Sequence, residues 1–157
     1  TVIAYVIEGV SSETRGVFGT GYKSSPAGNT NILDYITIAT VGNAIDFGDL
    51  HELVRGSSGT TDGSRGLFSG GYAASRTNHI SYITIATLGD STDFGDITRS
   101  VADLGGCSDG TKSLAAGGDV GSASNVIDYV TIATTGNAVD FGDLSLAGYH
   151  LGGTSGD

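Results

Sequence analysis

The chain has 157 residues, a net charge of −10 and 27 glycines, and it contains neither tryptophan nor methionine. This acidic balance argues against nucleic-acid binding, which needs clustered Lys and Arg, and against binding to anionic membrane surfaces. No apolar run has the length of a membrane-spanning helix, and a lone Cys107 cannot form a disulfide within one chain. Glycine together with Val, Ile, Thr, Tyr and Phe predicts short strands and many tight turns.

A repeat with a period of 47 residues organises the chain. The string Asp-Phe-Gly-Asp occurs three times, at residues 46–49, 93–96 and 140–143. A fixed period of this length indicates one supersecondary unit that stacks on its own copies. We therefore expect a single repeat domain over residues 1–157. Its units are approximately 1–50, 51–97 and 98–144, and residues 145–157 begin a further unit.

The second copy predicts the strands of a unit most clearly. After a loose Gly/Ser segment at residues 51–64, we expect strands near residues 65–72, 78–87 and 92–97. The middle one of these places Ile80 and Tyr82 on one face and Ile83 on the other, so both faces should be covered. A Gly-Asp or Gly-Asn pair follows it in every copy and predicts a short hairpin turn into Asp-Phe-Gly-Asp. The first copy has three extra residues within residues 23–31.

Three features recur at fixed places in the units. Strand two ends in Gly70-Gly71-Tyr72 or Gly117-Gly118, strand three contains Tyr35, Tyr82 or Tyr129, and strand four contains Phe47, Phe94 or Phe141. This order resembles a kelch-type β-propeller blade, in which strand four usually carries Trp. The longer phrase from the tyrosine to Asp-Phe-Gly-Asp resembles repeats of large kelch-like virion proteins of aquatic bacteriophages, especially tail-fibre-like proteins. The resemblance implies a structural protein with an extracellular or virion location.

The predicted fold is therefore all-β, built from kelch-like β-propeller-type four-stranded repeats. Three blades do not close a propeller, which typically has about 4–8, so we expect other chains to complete a ring or an array. A β-trefoil or β-prism made of three units is an alternative fold, and so is an extended fibre of stacked β-units. The expected partners are identical chains, in a homo-oligomer or a filament.

The two ends of the chain are the predicted assembly segments. Residues 1–14 align with residues 51–64 and 98–111, and nearly with 145–157, as they would in a piece of a longer array or in a chain that pairs with neighbours at both ends. Open strand edges invite such pairing. The predicted contact residues are apolar or aromatic: Val2, Ile3, Tyr5, Val6, Ile7, Leu146, Tyr149 and Leu151.

Two further sets of residues are candidates for ligand binding. Tyr22, Tyr72, Arg76 and His79 lie near the variable loop, where exposed aromatic rings could stack on sugars. They predict a lectin-like module for cell-surface glycans as the alternative function, although tyrosines in such loops more often pack inward. We expect no cofactor other than calcium. The repeated aspartate pairs offer carboxylate oxygens to calcium, but a calcium ion takes about 6–8 oxygen ligands. These aspartates, which could instead cap turns, are Asp46, Asp49, Asp93, Asp96, Asp140 and Asp143.

The sequence contains no recognisable catalytic constellation, so we expect no enzymatic activity. Asp-Phe-Gly also occurs in protein kinases, but here it recurs three times and no catalytic loop accompanies it. His51, His79 and His150 occupy different positions of the repeat. The basic residues Arg15, Arg65 and Lys112 occupy one repeat position, where we expect each to pair with an aspartate of the same or an adjacent unit.

Overall fold

The computed structural model describes residues 3–5 and 7–154 of the chain. These residues form an all-β structure, as predicted, and they contain no helix that could cross a bilayer. The strands are β1 (Ala4–Tyr5), β2 (Glu8–Ser11), β3 (Arg15–Gly19), β4 (Tyr22–Ser24), β5 (Ala27–Thr37), β6 (Ile45–Val54), β7 (Ser58–Thr61), β8 (Arg65–Ser69), β9 (His79–Thr84), β10 (Thr92–Asp96), β11 (Gly105–Ser108), β12 (Lys112–Ala116), β13 (Ser124–Thr131) and β14 (Val139–Gly148).

Each predicted repeat contains one antiparallel four-stranded sheet, with its strands paired in chain order. Unit one consists of β2, β3, β5 and β6, unit two of β7 to β10, and unit three of β11 to β14. In unit one, β1 and β4 add a small ribbon to the start of β5. The three extra residues of this copy therefore lengthen a hairpin that turns at Ser25-Pro26.

The core lies between neighbouring sheets and follows the order of the units. One cluster of buried side chains joins unit one to unit two and includes Val17, Leu33 and Phe68. A second cluster joins unit two to unit three and includes Leu67 and Ile132. Neither cluster joins unit one to unit three, and the described sheets form no closed barrel or ring. A threefold domain would need a core contact between units one and three, but among the described residues only consecutive units share a core cluster.

A β-bulge places the repeated phenylalanine of units one and two, Phe47 and Phe94, in this core. Asp93 pairs with Ser81 and Gly95 with Ile80, so Phe94 is an extra residue between two paired positions. The registers of β6 and β14 break at the equivalent place. Because the bulge reorients the side chain, the Phe94 ring meets the ring of Tyr82 edge-on, with 5.9 Å between their centroids. Asp-Phe-Gly-Asp is therefore an architectural motif in this chain.

The connection from the third to the fourth strand of each unit differs from the prediction. In unit two the third strand ends at Thr84 and the fourth begins at Thr92, and a loop lies between them. The backbone N–H of Gly89 in this loop donates to the carbonyl of Phe47 in unit one, at 2.9 Å. The third and fourth strands form the predicted antiparallel hairpin, but the predicted short turn is wrong. The connection of unit two is a loop over residues 85–91, because the Gly-Asp pair hydrogen-bonds with the preceding unit.

Candidate functional site

The best-defined repeated feature of the structure is the contact that joins one unit to the next. We call residues 38–44, 85–91 and 132–138, between the third and fourth strands of each unit, the clasp loops. In the clasp loop of unit three, Gly136 N–H donates to Phe94 O at 2.8 Å and Ala138 N–H donates to Asp96 O at 2.7 Å. The Asp96 N–H in turn donates to Asn137 Oδ1 at 3.0 Å. The loop thus binds the bulged strand of unit two through the backbone.

Unit two binds unit one through the same set of hydrogen bonds. Its clasp loop uses Gly89, which donates to Phe47, and Ser91, whose N–H donates to Asp49 O at 2.8 Å. The carboxylate of Asp90 takes the place of Asn137 and accepts the Asp49 N–H at 3.0 Å. Two independent contacts within one chain therefore have the same design, which an array of further units could continue.

The glycine of Asp-Phe-Gly-Asp makes this close contact possible. Gly95 has a φ of +142°, and a Cβ atom added to it would lie only 2.5 Å from the Gly136 carbonyl oxygen. Gly48 has a φ of +141° and lies equally close to the carbonyl of Gly89. Only glycine combines this backbone conformation with so near an approach by a second chain segment. The motif is therefore adapted to the unit-to-unit contact.

The two outer sheets expose side chains that the inner contacts bury. Phe141 of unit three is 54% exposed, whereas Phe94 is 2% exposed. We call the side of the β11–β14 sheet that carries Phe141 the unit-three face. At the other end, Ile38 is 53% exposed, whereas its equivalent Ile85 is 1% exposed. We call the side of the unit-one sheet that carries Ile38 the unit-one face. A groove of about 360 Å³ lies between this face and the first strand of unit two, and its lining includes Phe18, Ile36, Ile38, Gly59 and Thr60.

The structure places the predicted assembly residues in three situations. Ile3, Tyr5 and Ile7 are exposed, and β1 pairs with β4 in the ribbon and takes no part in a four-stranded sheet. Leu146 and Tyr149 are also exposed. Leu151 is half-buried against the backbone of residues 105 and 117. Val2 and Val6 lie outside the described residues.

Two of the four predicted ligand-binding residues, Tyr22 and Tyr72, lie against one guanidinium, and a third, Arg76, approaches the Tyr72 ring. The Arg55 guanidinium lies over the ring of Tyr72, at 4.8 Å, and over the ring of Tyr22, at 5.4 Å. Arg76 approaches Tyr72 at 6.0 Å and forms a 2.6 Å ion pair with Asp119, which lowers the pKa of that carboxyl. Sequence reasoning missed Arg55, because it lies on the connection that follows β6, far from both tyrosines in the sequence.

His79 makes its contacts elsewhere. Its Nε2 atom lies 3.5 Å from a carboxylate oxygen of Glu52, and its Nδ1 atom lies 3.4 Å from a carboxylate oxygen of Asp96. Asp96 belongs to the second Asp-Phe-Gly-Asp motif, so this histidine links the fourth strands of units one and two. The site predicted from the sequence is therefore reduced to Tyr22, Tyr72 and Arg76, and Arg55 lies between the two tyrosine rings.

The repeated aspartates do not gather into a metal-binding cluster. No group of three or more His, Cys, Asp or Glu side chains in the described part of the chain is placed to hold a metal ion. The Asp140 carboxylate accepts the N–H of Gly142 at 3.1 Å, which fits the turn-capping interpretation at that residue. Calcium binding stays a prediction.

The basic residues at the start of strand two, Arg15, Arg65 and Lys112, lie over tyrosine rings, and this contact replaces the predicted pairing with aspartate. The Arg15 guanidinium lies 4.8 Å from the centroid of the Tyr35 ring and donates to the carbonyl of Ile85 in unit two, at 2.9 Å. Arg65 repeats the arrangement with Tyr82 and with the carbonyl of Ile132 in unit three. Lys112 lies 5.0 Å from the Tyr129 ring centroid. The sequence carried one signal of this cation–ring contact, because a basic residue and a tyrosine each recur at a fixed position of the repeat.

One buried ion pair was not predicted. Asp128 is fully buried, and its carboxylate accepts hydrogen bonds from Arg99 Nη1 and, at 2.7 Å, from Thr98 Oγ1. Arg99 Nη2 also donates to the carbonyls of Gly117 and Val126. Burial lowers the pKa of the Arg99 guanidinium, and the Asp128 charge opposes this effect. The sequence signal for the pair is Arg99, which takes the repeat position of Glu52 and Leu146, because an aspartate occurs at the position of Asp128 in unit one as well.

Comparison with known proteins adds no assignment to this geometry. No protein-family model matches the sequence, and no curated protein matches it.

Proposed function

We propose that this chain is a non-enzymatic structural protein that assembles with further copies of itself. The observation that supports this most directly is the clasp-loop contact, which occurs twice within the chain with the same hydrogen bonds. The faces beyond these two contacts expose apolar groups whose equivalents are buried inside the chain. Exposed apolar surface of this kind marks a protein–protein contact.

The setting we propose is a phage fibre or another extracellular appendage made of kelch-like units. Antiparallel sheets joined by repeated backbone hydrogen bonds would supply rigidity. The loops between strands two and three, which differ in length between the first copy and the others, would supply surface contacts. The net charge of −10 favours solubility and suits a protein that works outside the nucleic-acid compartment of a particle.

The size and shape of the native particle test the proposal. Mass photometry gives the number of chains, and negative-stain electron microscopy distinguishes a closed ring from an open filament. A filament supports a fibre, and a ring of two chains supports a six-unit propeller. A compact monomer at every concentration contradicts the proposal.

Glycan binding is the second candidate function, because Tyr22, Tyr72 and Arg76 lie together near the variable loop. The Arg55 guanidinium competes for the ring faces on which a sugar would stack. A glycan array tests the idea, with Tyr72→Ala as the loss-of-binding variant and Tyr149→Ala, at an exposed tyrosine outside the cluster, as the control. An array without saturable binding contradicts it.

A further inference from the structure

We infer that the unit-three face of one copy binds the unit-one face of a second copy, in the geometry that joins units two and three within the chain. This inference rests on the proposed structural role and specifies the contact that would carry it. The partner is a second copy because the clasp loop and the bulged strand that form the internal contacts also stand at the two ends of the same chain. The same surfaces are therefore complementary to each other.

The backbone of the first clasp loop matches the contact. Gly42, Asn43 and Ala44 occupy the repeat positions of the unit-three residues that bind unit two. In the second copy, Gly42 N–H would donate to Phe141 O, and Ala44 N–H would donate to Asp143 O. Gly142 has a φ of +140°, like its two equivalents, and nothing lies within 4 Å of the place where its Cβ would be. The space that a clasp loop needs is open.

The side chains of the two faces match in the same way. Phe141 would be covered by the unit-one face, as Phe94 is covered by unit three. Lys112 lies over its tyrosine as Arg15 and Arg65 do, and those two arginines donate to carbonyls of the following unit. Lys112 would therefore reach the carbonyl of Ile38, the residue equivalent to Ile85 and Ile132, in the second copy.

The segment after β14 must move for this contact to form. Residue 153 lies against the backbone of Gly106, as Gly59 lies against that of Gly9, so this segment occupies the place of a following first strand. The second copy would bring its own β2 to this place. β2 is paired with β3, and its Val10 is only 4% exposed, whereas residues 151–154 belong to no strand. The segment after β14 is therefore the one that gives way.

One position of the proposed contact is mismatched, and this provides a test. Inside the chain, Arg99, just after the fourth strand of unit two, pairs with Asp128 in the third strand of unit three. The residue equivalent to Asp128 in unit one is Asp34, which is exposed. The residue equivalent to Arg99 after the bulge of β14 is Leu146, which is 81% exposed. An arginine at position 146 would recreate the buried pair between two copies.

The gain-of-function variant is Leu146→Arg, measured by sedimentation velocity and mass photometry over a dilution series. We expect its self-association to be more than tenfold tighter than that of the parent, because close interfacial charge pairs couple strongly. Adding Asp34→Ser should remove the gain. Deleting residues 149–157 should also tighten self-association, since it clears the occupied place. Absence of a gain in Leu146→Arg, in both the full chain and the truncated chain, overturns the inference.

A loss-of-function pair uses the clasp-loop asparagines. Asn43→Ala should weaken self-association about threefold to tenfold, which corresponds to one hydrogen bond, and should leave the melting temperature of the monomer unchanged. Asn137→Ala, the same change at the internal contact, should lower the melting temperature. Ile38→Glu should abolish self-association, whereas Val120→Glu, at an exposed apolar residue of the loop between β12 and β13, should not.

The outcomes separate this inference from the proposed function. Assemblies that form but ignore Asn43→Ala, Ile38→Glu and Leu146→Arg would preserve the structural role and overturn this contact. A closed ring that responds to all of them would preserve the contact and overturn the fibre. A chain that stays monomeric, even as Leu146→Arg with residues 149–157 deleted, would overturn both.

Discussion

Gly95 and Gly136 meet so closely that a single methyl group on Gly95 would lie 2.5 Å from the carbonyl oxygen of Gly136. Gly142 has nearly the same φ, +140° against +142°, but nothing lies within 4 Å of its Cβ position. The chain thus contains a matched pair of glycines with the same backbone conformation, of which only one is covered by a neighbouring unit.

The first prediction compares alanine at these two positions. Both substitutions introduce strain at positive φ, about 1 kcal/mol each, but only Gly95→Ala must also displace the clasp loop of unit three. We expect Gly95→Ala to lower the free energy of unfolding by at least about 2 kcal/mol more than Gly142→Ala does. Urea unfolding of the dilute proteins measures both values. Equal losses would show that the clasp-loop contact contributes little to stability.

The second prediction concerns the buried pair of Arg99 and Asp128. Arg99→Met leaves the Asp128 carboxylate buried without its charged partner, which should cost about 3–5 kcal/mol of stability. A further Asp128→Ser change installs the residue that unit two has at this position and should recover most of the loss. Denaturant unfolding of the single and double variants measures this. A double variant no more stable than Arg99→Met would contradict the assigned role of the pair.

The third prediction concerns the turn between the first two strands of unit two. Asp62 Oδ1 accepts the N–H groups of Ser64 and Arg65, at 2.8 and 2.6 Å. Ser12 accepts the equivalent N–H groups in unit one through its hydroxyl. Asp62→Ala should therefore lower stability by about 1 kcal/mol, and Asp62→Ser should lower it less. Thermal unfolding monitored by circular dichroism ranks the three proteins, and an unchanged melting temperature in Asp62→Ala would disagree.

The fourth prediction concerns pH. Burial raises the pKa of the Glu8 carboxyl, while a hydrogen bond from the Gly59 backbone acts in the opposite direction. The folded state holds this proton more tightly than the unfolded state does. Protonation of Glu8 therefore contributes fully to stability below the unfolded pKa, and this contribution is lost as the pH rises through the folded pKa. Glu8→Gln should melt at a higher temperature than the parent at neutral pH, and the gain should disappear below about pH 4.3.

Asp109→Asn provides a control of opposite sign for the pH prediction. The backbone N–H groups of Lys112 and Thr111 lower the pKa of the Asp109 carboxyl. Its contribution to stability is therefore present above the unfolded pKa and is lost as the pH falls through the folded pKa. Asp109→Asn should melt below the parent at neutral pH and approach it in acid. Parallel pH profiles for the two variants would contradict both assignments.

The sequence predicted the features that depend on local patterns. The alternation of Ile80, Tyr82 and Ile83 predicted a strand covered on both faces, and all but Tyr82 are nearly fully buried. The glycine content and the 47-residue period predicted an all-β chain, and each period contains one antiparallel sheet. Such patterns report which side of a strand is buried, and this information lies within a few residues.

Contacts between units could not be predicted in this way. Gly89 and Asp90 have the composition of a hairpin turn, yet their hydrogen-bond partners lie in unit one, some 40 residues away (Asp49 to Asp90 is a separation of 41). The cluster around Arg55 likewise joins residues from β4, from the connection after β6 and from the loop after β8. Turn propensity describes the local backbone and does not identify a distant partner.

The clasp-loop hydrogen bonds also give the chain a direction. At both internal contacts, the loop of the later unit donates its backbone N–H groups and the bulged strand of the earlier unit accepts them. Any assembly continued by the same contact would have a clasp loop with two backbone N–H donors at one tip. The other tip would have a bulged strand with two backbone carbonyl acceptors and one N–H donor. The two tips would differ chemically, so a capping protein or a host surface could recognise one end alone, and growth could proceed from a single end.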